Sequence, residues 1–398
     1  MSELKTKREL QMYKNDSYVG TLTRTNEGCD LNFDEAYRES IRIPNLTYNI
    51  SIEKPVLKFK GVGLPPYFAG LLPEGLRLKA LVRRLKTSED DMFSLLVASG
   101  MDPVGDIHFK NFLPEVNQED EAVPEDFGQL RKLLKSGENP GQNSLAGVQD
   151  KLSADRISIP LSSKKKGRSY ILKLESLEFP DGVINEYVCL KIAKACGLQV
   201  NTAEIVHDAQ GVSALLVERF DRKWNSRKKT WHRFHQEDAC QFLNRYPADK
   251  YHLSMQEIAV GISRFASAPE IEILNLLRLK AFSYLIGNGD LHGKNISLLE
   301  IEGASQLSPC YDILCTLLYG DQKMALLMDG KNQNLKTQNF LEFGTRHGIP
   351  AKATMSMIKD LVRKFQIHKD QIFKVPLAEK KKAFLNQTFA ERIQHLSV

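Results

Sequence analysis

The stretch FSYLIGNGDLHGKNISLL, residues 282–299, constrains this chain most, because polar residues there separate two apolar segments. Asp290, His292, Lys294 and Asn295 crowd the gap. The preceding segment, IEILNLLRLKAFSYLIG, is apolar nearly all round, which predicts a buried helix leading into the polar cluster. Two interpretations stay open at this point: a solvated turn between buried segments, or a loop that carries a functional site.

The spacing within this cluster favours the second interpretation. An aspartate followed five positions later by an asparagine is the spacing of the kinase catalytic loop. There the carboxylate accepts the substrate hydroxyl proton and the amide oxygen binds magnesium. Asp and Asn are common loop residues, so the spacing alone is weak, but Asp312 in the apolar setting YDILCTLL stands where a second ligand is expected. Three oxygen-bearing side chains suit a hard cation such as Mg²⁺.

Length and composition bound the class of protein. A chain of 398 residues predicts two or three domains, and 42% hydrophobic with 26% charged residues is ordinary for a globular protein. The net charge of +6 permits contact with nucleic acid or an acidic partner but argues for neither. No apolar run approaches the roughly 18 residues that span a bilayer, and MSELKTKREL lacks a signal-peptide core. We therefore expect a cytoplasmic protein without membrane contact.

The six cysteines are scattered, with no pair at zinc-knuckle spacing. Most have apolar neighbours, which predicts buried free thiols in a reducing compartment.

The first part of the chain reads as a small α+β domain, residues 1–112. Alternation around Asn15-Asp16 predicts a tight hairpin, PPYFAGLLPEGLRLKALVRRL has helical spacing of its leucines, and MFSLLVASG predicts a helix ending at Gly100. Residues 113–143 are acidic and rich in Pro, Glu, Asn and Gln, with one helical stretch, DFGQLRKLLKSG. This composition predicts a connector.

Residues 144–235 predict a β-rich, nucleotide-binding part. Lys173 interrupts the strand-like SYILKLES, so it either faces solvent or has an anionic partner. Glu186, in the helical pattern VINEYVCLKIAKACGL, is the candidate, because kinases pair a strand lysine with a helix glutamate at the phosphates. Small residues at Ser144–Gly147, with Lys151 close behind, predict either a phosphate-binding loop or a turn into a hairpin.

Residues 236–398 read as a mostly helical domain. Gln236 to Asp238 are expected to begin the helical segment QEDACQFL, where Gln236 either caps the helix or lines the cleft. After Asp312 the segments FLEFGTRHG, ATMSMIKDLVRKFQ and LAEKKKAFLNQTFAERIQHL predict helices. We therefore expect the fold class α+β: a protein-kinase-like, two-lobed fold with a mixed N-terminal sheet domain and a mostly helical C-terminal domain.

The succession of motifs resembles one family over most of the chain. FAGLLPEGLR, MFSLLVASGMDPVGDI, SLAGVQDKL, LKLES, NEYVCLKIAKACGL, VERFDRKW, HQEDACQ, GNGDLHGKN and YDIL stand in the order of HipA-family serine/threonine kinases, the toxin half of bacterial toxin-antitoxin pairs. The resemblance implies a protein kinase that depends on ATP and Mg²⁺.

The same resemblance implies roles for individual residues. Asp290 would be the base, with His292 and Lys294 stabilising the loop or the transferring phosphoryl group, and Asn295 and Asp312 would hold magnesium. The implied nucleotide-binding residues are Leu145, Ala146, Gly147, Val148, Gln149, Lys151, Lys173, Glu186, Glu218, Phe220 and Gln236. Ser144 matches a serine whose autophosphorylation expels the loop and blocks ATP binding, as a phosphate charge beside a triphosphate site would.

The resemblance also implies partners. These are a protein substrate, an aminoacyl-tRNA synthetase whose modification arrests growth, and a HipB-like helix-turn-helix antitoxin that binds operator DNA, so that DNA contact is indirect. The basic run Lys164 to Arg168 departs from the pattern, and substrate preference could differ there.

Two other functions remain as alternatives. A catalytically weak subunit could act mainly as binding partner or corepressor of a DNA-binding antitoxin, although the lysine, base and magnesium positions are all present. An aminoglycoside-type small-molecule kinase is disfavoured by the extended N-terminal domain and by SLAGVQDKL.

Overall fold

The structure, a computed structural model, describes residues 7–40, 45–61, 63–110, 123–136, 158–163, 167–176 and 178–397. Within these ranges no helix combines the length and the apolar character needed to cross a membrane. All six cysteines carry free thiols, and only Cys310 is not fully buried, which confirms the prediction of buried free thiols for the other five. The division into residues 1–112, 113–143, 144–235 and 236–398 stays a prediction.

The N-terminal unit is built on an antiparallel five-stranded sheet of order β6-β3-β2-β1-β7. Its strands are β1 (Glu9–Lys14), β2 (Ser17–Arg24), β3 (Gly28–Phe33), β6 (Val56–Lys60) and β7 (Ile107–Lys110), with a separate small pair, β4 (Asn45–Thr47) and β5 (Ile50–Ser51). Asn15 adopts φ 50° in the turn between β1 and β2, a left-handed conformation that asparagine tolerates, so the predicted hairpin is confirmed.

Helices cover this sheet: α1 (Glu35–Ser40), α2 (Pro66–Gly70), α3 (Gly75–Leu85) and α4 (Met92–Ser99). The predicted continuous helix from the PPYFAG segment onward is wrong, because it divides into α2 and α3. Pro73 stands in the break, and proline has no backbone N–H with which to continue a helix. The break turns the following residue, Glu74, toward the rest of the molecule.

A four-stranded sheet of order β10-β11-β9-β8 forms the next unit. Its strands are β8 (Ser158–Ser163), β9 (Arg168–Leu174), β10 (Ala203–His207) and β11 (Ser213–Glu218). Helix α5 (Phe127–Ser136) contributes Phe127 and Leu130 to the core of this sheet, and α6 (Gly182–Ala195) connects β9 to β10. A hairpin of β12 (Arg222–Asn225) and β13 (Thr230–Arg233) follows.

The C-terminal unit is mostly helical and has the largest core. Its helices are α7 (Ala239–Phe242), α8 (Met255–Phe265), α9 (Pro269–Ile286), α10 (Thr337–Arg346), α11 (Ala351–His368) and α12 (Glu379–Leu396). Short 3-10 helices lie at Pro247–Tyr251, Gly293–Asn295, Thr316–Tyr319 and Lys369–Lys374. Helix α9 is buried along most of its length, as its all-round apolar sequence predicted.

This unit also contains a three-stranded sheet, so the predicted helix start at Gln236 is wrong. Gln236–Asp238 do not begin a helix but form β14, which pairs with β15 (Ser297–Ile301), and β15 pairs with β16 (Ala304–Leu307). Asp238 instead caps α7 by accepting a hydrogen bond from the Gln241 backbone. Because the paired residues lie about sixty positions apart, local sequence patterns do not indicate the pairing.

Buried ion pairs join the N-terminal unit to the segment after β11 that includes the hairpin of β12 and β13. Asp102 lies 3.1 Å from Arg219, 3.0 Å from Arg222 and 3.3 Å from Arg233. Nearby, His235 contacts Asp106 at 2.8 Å across the same junction. These contacts fix the chain that runs between the two sheets and the helical unit.

Candidate active site

A cavity lies where the N-terminal unit, the four-stranded sheet and the helical unit meet. All three units contribute to its lining. Of the side chains that the sequence nominated, the cavity is lined by Lys173, Phe220, Gln236, His292, Lys294, Asn295 and Asp312. Residues far apart in sequence thus share one concave, partly charged site, which is the usual form of a small-molecule pocket.

Lys173 occupies the charged end of the cavity. It lies on β9 between strand partners Ser158 and Leu215, so its side chain leaves the strand into the protein instead of toward solvent. Its Nζ donates to Oε1 of Glu186 over 2.7 Å and also contacts the Asp312 carboxylate. A buried ammonium requires such anionic partners, and here it has one from α6 and one from the segment after β16.

Asp312 is held in an uncommon backbone conformation, with φ 53°. Few non-glycine residues adopt the left-handed region, although aspartate tolerates it better than most. Such conformations persist where the surroundings over-determine them, and they cluster at functional sites. Asp312 is buried, and its carboxylate lines the cavity beside Lys173.

The Asp290 loop, residues 288–295, follows directly after α9. Gly287 ends that helix with φ 82°, and a Cβ there would lie 2.3 Å from a Leu317 methyl group, so only glycine fits. Within the loop, Asn295 Nδ2 donates to the backbone oxygen of Asp290 over 3.1 Å. This bond commits the amide nitrogen and leaves Oδ1 of Asn295 as an acceptor. An amide oxygen and the Asp312 carboxylate are donors that suit Mg²⁺.

Lys294 is locked by the surrounding protein. Its Nζ donates to Asp238 over 2.6 Å, lies 3.4 Å from Glu74 and lies 3.4 Å from the backbone oxygen of Gly70. Burial alone would lower the pKa of this ammonium, but Asp238 and Glu74 outweigh burial and raise the pKa above its usual range. The ion pairs of the Lys294 ammonium therefore hold the Asp290 loop against α7 and the N-terminal unit.

His292 is buried and lines the cavity, and neither of its ring nitrogens has a hydrogen-bond partner among the described residues. Burial, together with the positive charge of Lys250, lowers the pKa of His292 to about 3. The imidazole is neutral at physiological pH and offers one donor and one acceptor. Unpartnered buried polar atoms are unusual in proteins, and at a cavity they indicate a ligand contact.

Asp290 is buried and accepts a hydrogen bond at Oδ1 from the hydroxyl of Tyr251, over 2.9 Å. The Tyr251 ring also packs edge-on against His292, with centroids 5.0 Å apart. A second hydrogen bond, from the Asp290 backbone N–H to Oδ1 of Asn288, spans 3.2 Å. Tyr251, at the end of a 3-10 helix, therefore orients the carboxylate, and Asn288 holds the backbone of Asp290 within the loop.

Apolar side chains form another part of the cavity lining. These are Ile171, Val217 and Phe220, and the Phe220 ring packs against Tyr311 with centroids 5.8 Å apart. Gln236 donates to the Ser297 hydroxyl over 3.2 Å from the neighbouring wall. An apolar slot that leads to a cluster of charged groups matches the shape and polarity of a nucleotide.

Glu186 and Asp290, although buried, are not among the residues that line the cavity. Glu218 lies outside the cavity lining, and its side chain contacts Arg168 at 3.2 Å on the surface, so any contribution to a ligand comes through its backbone. Ser144, the segment Leu145, Ala146, Gly147, Val148 and Gln149, and Lys151 lie outside the described residues, as does most of the basic run that begins at Lys164.

The sequence did not nominate three residues that the structure brings to the site. These are Glu74 in the N-terminal unit, Asp238 at the start of α7, and Tyr251. Asp238 sits in a capping position that the sequence pattern DACQ could have indicated. Glu74 and Tyr251 carry no local signal, because their partners lie far along the chain.

The combination of a β-rich unit, a helical unit and a charged cavity between them is that of a kinase-like α+β fold. Two family models match the chain: the HipA N-terminal domain over residues 10–110 and the HipA-like C-terminal domain over residues 143–368. The chain belongs to the HipA family.

Individual relatives agree with this assignment. The putative kinase Y4mE of Sinorhizobium fredii is 31% identical over 349 residues, which is 81% of this chain and 81% of that protein. The serine/threonine-protein kinase toxin HipA of Shewanella oneidensis is 26% identical over 341 residues, 78% of each chain. A chain in the solved complex of HipA, HipB and operator DNA from Shewanella oneidensis MR-1 superposes with TM-score 0.75 at 21% identity, covering 97% of this chain and 96% of that one.

Proposed function

We propose that this chain is a serine/threonine protein kinase that uses ATP and Mg²⁺. The observation that carries the proposal is the position of Lys173, which contacts both Glu186 and Asp312 at the charged end of a cavity shared with Asn295. A strand lysine, a helix glutamate and two oxygen ligands in this arrangement match the parts that kinases use for the phosphates and the metal. The relatives that are named kinases support the same conclusion.

The apolar slot would receive the adenine ring. Ile171 and Val217 provide its walls, Phe220 its rim, and the backbone around Glu218 the hydrogen bonds to the ring edge. The triphosphate would then extend toward Lys173, whose ammonium neutralises the α- and β-phosphates while Glu186 holds it in place. The polarity of the cavity sets this orientation, since the reverse would bury phosphates against aliphatic side chains.

Asp290 is the base in this proposal. The substrate hydroxyl gives its proton to the Asp290 carboxylate while its oxygen bonds to the γ-phosphorus and the bond to the β,γ-bridging oxygen breaks. A carboxylate accepts several hydrogen bonds, so the bond from Tyr251 is compatible with a substrate hydroxyl. His292 remains neutral and donates to or accepts from the transferring group, whereas Lys294 positions the loop.

Asn295 and Asp312 would hold the magnesium ion. When bound, Mg²⁺ neutralises charge on the phosphates during transfer. The two side chains fit this ion because both offer oxygen donors, and Asn295 is oriented by its bond to the Asp290 backbone. Lys173, which contacts Asp312, links the metal position to the phosphate position.

The proposed biological role rests on family membership. We propose that the kinase is a cytoplasmic toxin that arrests growth by phosphorylating an aminoacyl-tRNA synthetase, and that autophosphorylation at Ser144 inactivates it. A HipB-like helix-turn-helix antitoxin would be its partner and would provide the DNA contact. The solved complex of HipA, HipB and operator DNA from Shewanella oneidensis MR-1 supports a partner of this kind.

Phosphoryl transfer tests the proposal directly. Purified protein is incubated with γ-labelled ATP and Mg²⁺, alone and with a cell extract, and labelled sites are identified by mass spectrometry. We expect label on Ser144 and on a synthetase. Asp290→Ala should lower the rate by about a hundredfold or more, the usual scale for a positioned base.

The matched control is Asp370→Asn, which removes a carboxylate that is 66% exposed and far from the cavity. It should label at the wild-type rate. If wild-type protein labels neither itself nor any extract protein, the kinase proposal fails. Antitoxin binding without any transfer would instead favour the alternative of a catalytically weak corepressor subunit.

A further inference from the structure

Glu74 projects from the N-terminal unit into the junction with the helical unit. It stands at the N-terminal cap of α3, yet its side chain makes no capping hydrogen bond. Instead Oε2 lies 2.7 Å from Nζ of Lys250, and Oε1 lies 3.4 Å from Nζ of Lys294. The side chain is 14% exposed and lines the cavity. One carboxylate therefore bridges two lysines on two different segments of the helical unit.

The first segment leads to the proposed base. Lys250 is buried, and the next residue, Tyr251, donates its hydroxyl to Oδ1 of Asp290 over 2.9 Å. The two residues end one short 3-10 helix, so the ion pair that holds the Lys250 ammonium also holds the backbone that carries Tyr251. Glu74 is thus connected to Asp290 by two adjacent residues.

The second segment leads to the proposed metal ligand. Lys294 is followed directly by Asn295, whose amide nitrogen donates to the Asp290 backbone oxygen over 3.1 Å. Lys294 contacts Asp238 as well as Glu74, so two carboxylates hold it. Movement of Lys294 would shift the backbone of Asn295, its neighbour in the 3-10 helix Gly293–Asn295.

The charges support a fixed arrangement. Burial would raise the pKa of Glu74, but Lys294 and Lys250 outweigh burial and keep the pKa below its usual value, so the carboxylate is ionised. Glu74 and Asp238 then face two buried ammonium groups. Loss of either carboxylate would leave excess positive charge in a buried junction. We expect the two lysine side chains to rearrange in response.

We infer that Glu74 is a positioning residue for phosphoryl transfer, supplied by the N-terminal unit: it holds Lys250–Tyr251 against Asp290 and Lys294–Asn295 beside the metal position. The inference rests on the proposed kinase function. Its consequence is that the N-terminal unit completes the reaction centre and is not only a surface for partners. A protein that displaced this unit would reduce the transfer rate without occupying the nucleotide cavity.

Glu74→Gln is the primary test, because glutamine keeps the shape and removes the charge. We expect kcat to fall by about 10- to 100-fold, the range that a misplacement near 1 Å costs, while KM for ATP changes much less. Glu89→Gln, an exposed carboxylate of the same unit, is the control and should match wild type. A kcat within twofold of wild type in Glu74→Gln would overturn the inference.

A double-mutant cycle tests the path to the base. If Glu74 acts through Tyr251, the combination of Glu74→Gln and Tyr251→Phe should lower kcat by less than the product of the two single effects. Effects that multiply fully would contradict that path. Far-ultraviolet circular dichroism and the urea midpoint of each variant separate misfolding from mispositioning.

Hydrogen–deuterium exchange separates this inference from the kinase proposal. In Glu74→Gln, backbone amides in residues 248–251 and 290–295 should exchange faster than in wild type, and in Glu89→Gln they should not. An inactive wild type would defeat the kinase proposal, while the exchange result would still decide whether Glu74 orders both segments. Unchanged exchange at both would overturn the positioning role regardless of activity.

Discussion

Nζ of Lys173 lies 2.7 Å from Oε1 of Glu186, and both side chains are buried. The pair connects a strand of the four-stranded sheet to the following helix, α6. Lys173 has a second carboxylate partner, Asp312, so loss of the Glu186 charge does not leave the ammonium without an anion. The contribution of Glu186 to the proposed reaction can therefore be measured in a variant.

Glu186→Gln should lower kcat/KM for ATP by about tenfold to a hundredfold, since a hydrogen bond to a charged group contributes about 1.5–3 kcal/mol. With Glu186 neutralised, Lys173 moves toward Asp312 and away from the phosphates. Initial rates against ATP concentration measure the effect. Glu204→Gln, on the exposed side of β10, is the control, and an unchanged kcat/KM in Glu186→Gln would contradict the role.

Asp312→Asn should abolish the dependence of ATP affinity on Mg²⁺. The carboxylate supplies the charge that attracts the ion, and an amide oxygen retains only its dipole. We expect activity to fall about a hundredfold or more, because a bound metal contributes several kcal/mol to the transition state. Calorimetric titration of ATP with Mg²⁺ and with EDTA provides the measurement. Equal gains in affinity from Mg²⁺ in wild type and variant would rule out Asp312 as a ligand.

His235 should make stability depend on pH above neutrality. Burial opposes its charge, but Asp106 and Glu237 outweigh burial and raise the pKa of His235 to about 9. The folded protein therefore holds the proton more tightly than the unfolded chain. The stabilisation is complete below pH 6.5 and declines as the pH rises through about 9, with a total near 3 kcal/mol at about 1.4 kcal/mol per pKa unit.

Urea unfolding of wild type and His235→Gln at several pH values between 6 and 9.5 measures this contribution. The difference in unfolding free energy should be largest at the acid end and shrink toward the alkaline end. A difference that stays constant across the range would show that His235 is not charged in the folded protein.

His292 should remain neutral from pH 5 to pH 8, because its pKa is lowered to about 3 by burial and by the charge of Lys250. The nitrogen chemical shifts of histidine-labelled protein report the charge of each ring. We expect the neutral pattern for His292 and the doubly protonated pattern for His235 at pH 7, with assignments from His292→Gln and His235→Gln. An imidazolium signal from His292 within this window would refute the prediction.

Local sequence patterns predicted the elements whose causes are local. The turn at Asn15, the helix that ends at Gly100 and the helices after Asp312 are confirmed, because turn chemistry, caps and hydrophobic period act over a few residues. The prediction for Gln236–Asp238 was wrong because a distant partner decided the outcome: β14 pairs with β15. The break between α2 and α3 has a local cause, Pro73, which the helical spacing of the leucines concealed.

The candidate site shows the same division. The sequence by itself determined which chemical groups are available, since the spacing from Asp290 to Asn295 and the positions of Lys173, Glu186 and Asp312 stand in the chain. Only the tertiary structure decided that Lys294 forms ion pairs with Asp238 and Glu74, and that Tyr251 orients Asp290. The physical reason is that an ion pair in a buried junction depends on packing between units distant in sequence, and no local pattern encodes that distance.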